Sequence, residues 1–133
     1  MIFRIMKADI LGLDDIVLFV NEFYKKVQQD DLIGPVFGSV LQEWQPHLEK
    51  MYQFWNAALF GVSGFKGNPF AKHAPLNIGP LHFERWLILF RETIDSNFEG
   101  NMANDAKNRA ELMAAMFLKR LESMDRGADK VIV

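Results

Sequence analysis

The chain has 133 residues, 50% of them hydrophobic and 24% charged, with a formal net charge of -2 and no cysteine. That leaves room for one domain around one core, excludes a disulfide framework, thiolate metal sites and a cysteine nucleophile, and offers no basic face for nucleic acid. No apolar run approaches the ~20 residues that span a bilayer. Charges inside Met1-Ile-Phe-Arg-Ile-Met-Lys make a poor secretory signal, so a reducing cytoplasm is the expected location.

Residues 1–10 are expected to fray. A first helix then runs from about Asp14 to Asp30, with Ile16, Phe19, Val20, Phe23, Tyr24 and Val27 on one stripe and Asp14 and Asp15 at its start. Gly34-Pro35 reads as a breaker. A second helix spans about Trp44 to Phe60, with Pro46 in its first turn and His47, Met51, Phe54, Trp55 and Ala58 sharing a face. Gly61 to Pro80 carries too many glycines and prolines for a long helix. An irregular stretch of ~20 residues inside a small domain is usually functional or flexible, and this one contains Lys72 and His73. The third helix covers about Pro80 to Phe98, with Phe83, Trp86, Leu87, Phe90 and Ile94 inward. The fourth covers about Asn104 to Met124, with Met113, Met116, Phe117, Leu121 and Met124 inward, and residues 125–133 are expected to fray. No stretch alternates with period two, so the fold class is all-α.

Twelve Phe, seven Met and three Trp give an interior suited to wrapping a flat apolar body, although a plain helical core reads the same way. The dinucleotide fingerprint, the P-loop, the zinc-protease helix, the serine elbow and paired di-iron motifs are all missing. What remains is three histidines, two tyrosines and three tryptophans. Taken singly, His47 reads as a core histidine, His73 as a loop residue and His82 as an exposed residue in a helix's first turn. Trp55 and Trp86 read as core, and Tyr24 needs a partner for its hydroxyl if buried.

In combination the residues are more specific. Phe23-Tyr24 with Val27, Asp31-Leu32 and Gly34-Pro35-Val36-Phe37, then Trp44-Gln-Pro-His47 with Met51 and Phe54-Trp55, then Lys72-His73-Ala-Pro-Leu, then Phe83-Glu-Arg-Trp86-Leu-Ile-Leu-Phe90, follow in unbroken order across residues 14–121. This pattern resembles the truncated haemoglobins, and among them the third group. Met51 stands where that family often has Ile or Leu.

The resemblance implies a single globin-like domain, a two-over-two helical sandwich around haem b (iron protoporphyrin IX) lying between the second and third helices. His73 would ligate iron through Nε2, with a backbone carbonyl taking its other N–H. No acid lies close to it in sequence, which argues mildly against a dedicated peroxidase. Tyr24 and Trp86 would be donors to O₂ or another diatomic gas such as NO or CO, since Tyr donates or accepts and the indole only donates. His47 would bond the gas, bind iron itself or act as a swinging gate, and the gate is preferred because two donors are already present. Phe37, Met51, Phe54, Leu87 and Phe90 would be apolar walls, with Lys72 and Arg85 as basic anchors for the propionates. Such a site suits gas chemistry or sensing better than oxygen transport in bulk. Two alternatives stay open: a haem enzyme, nitric oxide dioxygenase or peroxidase, fed by a separate reductase; and a cofactor-free helical interaction module.

Overall fold

Six positions of Leu13–Gln29 fall on one helical stripe, and all six are buried: Ile16, Phe19, Val20, Phe23, Tyr24 and Val27. This segment is α1. Its first turn carries Asp14 and Asp15, and the Asp15 carboxylate accepts the Leu11 N–H at 2.8 Å, where negative charge suits the helix dipole. The computed structural model describes residues 7–39, 41–63 and 78–132, with side chains as far as 123.

α1 stops at Asp30, whose carboxylate turns the chain. Its Oδ2 accepts the N–H groups of Leu32 (3.1 Å) and Ile33 (3.0 Å). A short helix follows, α2 (Gly34–Gly38), with Pro35 in its first turn. The Gly34-Pro35 pair therefore starts an element as well as ending one, because proline's missing N–H is harmless at a helix start. A Cβ at Gly34 would sit 2.9 Å from the Val27 carbonyl oxygen, so only glycine lets α2 fold back this closely on the end of α1.

α3 (Gln45–Phe60) opens with Pro46 in its first turn and buries His47, Trp55 and Leu59. α4 (Pro80–Asn97) buries Phe83, Leu89, Phe90, Thr93 and Ile94. Both agree closely with the expected bounds. α5 (Asn101–Ile132) is longer than expected at both ends, and its backbone is helical where a frayed tail is anticipated. Its inward stripe also differs from expectation. Ala103, Ala106, Ala110 and Ala114 are the buried positions, whereas Met116 is half exposed. Small side chains bring a helix close to its neighbours, and α5 packs chiefly on α4. The pairs α1–α3 and α4–α5 face each other, joined by α1 on α4 and α3 on α5, in a two-over-two arrangement with no strand among the described residues.

The expected fraying at the start ends earlier than residue 10. Ile10 is fully buried, the Ala8 carbonyl accepts the Glu99 N–H at 3.1 Å, and Asp9 caps a helix more than ninety residues away. Its two carboxylate oxygens accept the N–H groups of Met102 (2.9 Å) and Ala103 (2.8 Å) in the first turn of α5. Gly100, at φ +136°, makes this possible, since a Cβ there would lie 2.6 Å from the Asp9 carboxyl. Burial alone would raise the Asp9 carboxyl. The N–H groups of Met102, Ile10 and Ala103 outweigh burial and hold it below the ordinary aspartate range. The same contest lowers Asp30, where burial is outweighed by the N–H of Ile33, the Arg85 guanidinium and the N–H of Leu32.

A carboxylate whose pKa is lowered by folding stabilises the native state above its unfolded pKa and ceases to do so as pH falls through its folded value. Asp9→Ala and Asp30→Ala are each expected to cost about 1–2 kcal/mol at pH 7 in urea unfolding. The gap from the parent should begin to narrow as pH drops below about 4, the unfolded aspartate range, and go on narrowing until the lower folded values are passed. An unchanged gap at pH 3 would show that the charge is not what stabilises these turns.

Candidate functional site

The core is built on a stack of three rings. Phe90 lies between Trp55, at 5.0 Å and 18°, and Trp86, at 5.6 Å and 11°. Phe19 and Phe23 of α1 meet Phe90 edge-on, at 88° and 80°. Beyond Trp55 and Trp86 the packing opens into a cleft with a cavity volume of about 60 Å³. Sites for small molecules and cofactors are mostly apolar with a few placed polar groups.

Every element contributes to the cleft walls. α1 supplies Tyr24, and the α1–α2 corner and α2 supply Ile33, Val36 and Phe37. α3 supplies Met51, Phe54 and Trp55. Ile78 and α4 supply His82, Phe83 and Trp86, and α5 closes the space with Met113, Ala114 and Phe117. Five residues expected at the site thus meet at one cavity: Tyr24, Phe37, Met51, Phe54 and Trp86.

Tyr24 is buried at 5% exposure, and its ring is held by four others. Phe23 (4.8 Å), His47 (4.9 Å, 83°), Trp44 (5.9 Å) and Phe37 (6.0 Å) surround it. Burial pushes the phenol pKa well above its ordinary value, so the hydroxyl keeps its proton across the neutral range and can donate. Trp86 is half-buried, positioned by its stack on Phe90 and by an edge contact with Phe23 at 5.5 Å.

Other expected residues fall elsewhere. Phe90, expected as a wall, is 1% exposed and does not line the cleft; it lies one layer deeper and backs Trp86. Leu87 likewise packs on the core. His47 is buried among Tyr24, Phe37 and Trp44, beside the cleft rather than in its lining. Arg85, a candidate anchor, is engaged by Asp30, with Nε 2.6 Å from Oδ1. Lys72 and His73 lie outside the described residues.

His82 differs most from expectation. It is half-buried, lines the cleft, and its Nδ1 accepts the Gly79 N–H at 3.0 Å, closing the first turn of α4. A histidine three residues after a Gly-Pro helix start is a signal for such a cap, because N3 is where a side-chain acceptor reaches back. Among the described residues no group of three His, Cys, Asp or Glu could hold a metal ion, and no helix is long and apolar enough to cross a membrane. The polar groups around this apolar, ring-walled space are therefore one phenol, two indoles and one imidazole. That fits a flat, largely apolar group.

Comparison with known proteins agrees with this geometry. The bacterial-like globin family model matches residues 8–120. The chain is 32% identical over 121 residues to the Group 3 truncated hemoglobin ctb of Campylobacter jejuni, covering 87% of this chain and 95% of that protein. The crystal structure of group III truncated hemoglobin from Campylobacter jejuni matches with a TM-score of 0.79 at 32% identity, over 87% of this chain and 95% of the other. A thermostable hemoglobin from the actinobacterium Thermobifida fusca shares the fold at 19% identity, with a TM-score of 0.71 over 80% of this chain and 90% of that one. With its two helix pairs closing on an aromatic-walled cleft, the chain belongs to the bacterial-like globins and is a haem-binding globin of the third group of truncated haemoglobins.

Proposed function

We propose that the chain holds haem b through His73 and binds a diatomic gas, O₂, NO or CO, beside Tyr24 and Trp86, for chemistry on the gas or for sensing rather than for bulk transport. The observation that carries this reading is Tyr24, a protonated phenol gripped by four rings at the wall of an apolar cleft. A buried donor held this firmly is oriented before any ligand arrives, so little entropy is lost when it bonds.

Haem, when bound, supplies the iron at which a diatomic gas is held. The protein's own part is to fix donors and exclude water. Tyr24 and Trp86 both line the cleft, and the Trp86 indole can act only as donor. Each hydrogen bond to a ligand bearing partial negative charge is worth about 1.5–3 kcal/mol, so two together slow ligand escape by ~100-fold or more. Such slow release suits reaction or signalling. Phe37, Met51 and Phe54 keep the cleft apolar, which excludes competing water. His47, edge-on to Tyr24, acts as the gate, since turning its ring outward opens space beside the phenol.

Two measurements test the reading. Protein loaded with haemin should show an intense near-ultraviolet band with the signature of imidazole-ligated iron, and His73→Ala should lose that signature and release haemin at least about 10-fold faster. An unchanged spectrum in His73→Ala would remove His73 as the ligand. In stopped-flow release of O₂ from the ferrous protein, Tyr24→Phe and Trp86→Phe should each speed dissociation by about 10- to 100-fold. Release from the parent as fast as from a storage globin would rule out retention chemistry.

A further inference from the structure

Four side chains with an N–H or O–H group line the cleft among the described residues, Tyr24, Trp55, His82 and Trp86. Trp55 is committed to the ring stack, and the function above uses Tyr24 and Trp86. That leaves His82. Its ring is fixed by its own backbone, with Nδ1 taking the Gly79 N–H at 3.0 Å. A peptide N–H can only donate, so Nδ1 must be the bare, accepting nitrogen. In a neutral imidazole the proton then resides on Nε2, across the ring from that bond. The helix cap thus decides the tautomer of a ring that lines the cleft, with Nε2 as its donor.

Once an occupant fills the cleft and displaces water, a donor on its wall is costly unless an acceptor meets it. The rest of the lining is apolar apart from the Tyr24 hydroxyl and the indoles of Trp55 and Trp86, and an indole can only donate. An occupant that carries an acceptor would meet this donor. Haem brings two carboxylates, and a hydrogen bond from a neutral donor to a carboxylate is roughly twice as strong as one between neutral groups. Arg85, the nearest basic residue along the helix, is engaged by Asp30.

We propose that His82 is a cofactor-anchoring residue, its Gly79 cap fixing Nε2–H as the donor to a propionate of haem bound in the cleft. This rests on the reading of the cleft as the haem site. One bond sets both the start of α4 and the polarity of an anchoring point, so the helix carrying Trp86 and the propionate are tied to the same turn.

The test compares two porphyrins on the intact protein: haemin, and haemin dimethyl ester, which lacks free carboxylates. His82→Glu retains a side-chain acceptor at the usual capping-box position and so keeps the helix start, while replacing the donor with a negative charge. Transfer of each porphyrin to excess apomyoglobin is followed by absorbance, with circular dichroism reporting the fold. His82→Glu should speed loss of haemin by about 10-fold or more while changing loss of the diester by less than about 2-fold. His82→Gln, which can accept from Gly79 and still donate, should restore haemin retention to within about 3-fold of the parent. If His82→Glu does not fold, His82→Ala carries the same two-porphyrin comparison. Equal acceleration with both porphyrins would reduce His82 to a helix cap, and no acceleration with either would remove it from the site. A parent that retains neither porphyrin would overturn the haem reading itself, a result separable from the other two.

Discussion

The parallel stack of Trp55, Phe90 and Trp86 is the contact on which both core and cleft depend. It joins α3 to α4, and two edge-on phenylalanines from α1 lock the central ring. Each aromatic pair adds about 0.5–1.5 kcal/mol beyond the area it buries. The outer rings of the stack are also cleft walls. The indole of Trp86 is therefore aimed by the packing of the hydrophobic core, and a change to Phe90 would move it without touching any ligand.

Charge performs a comparable double role at the rim. Asp30 ends α1, turns the chain toward α2 and holds the Arg85 side chain of α4. One carboxylate thereby fixes the spacing between Phe37 on one wall and Trp86 on the other. The cost is that Arg85 is committed to the fold.

Much of this was legible in the sequence where periodicity is strong. The α1 stripe was read without error because six large apolar residues repeat at helical spacing around polar ones. The bounds of α3 and α4 followed from Pro46, Gly61 and Pro80. The cleft positions of Tyr24, Phe37, Met51, Phe54 and Trp86 followed from the family pattern. Phe90 was misplaced because residues four apart on a helix differ by ~40° around its axis, enough to separate a cleft wall from the layer behind it. The buried face of α5 was harder to see. Alanine carries little hydrophobic signal, and of the larger residues expected inward Met113 and Phe117 reach the cleft while Met116 is exposed. His82 was read as a surface residue because its role depends on a backbone bond to Gly79, which composition does not record. The cofactor-free alternative does not survive membership of the globin family. The standing of Lys72 and His73 rests on the family pattern, since both lie outside the described residues.

The link between Asp9 and the start of α5 has a consequence for how the chain assembles. A helix normally carries its own start signal, but here the signal sits at the opposite end of the polypeptide. Joining Asp9 to Met102 and Ala103 closes a loop of more than ninety residues that holds the intervening helices. Contacts of such long sequence separation are entropically expensive to form early. The junction therefore acts as a clasp, fastened late, whose influence falls on how slowly the finished protein comes apart.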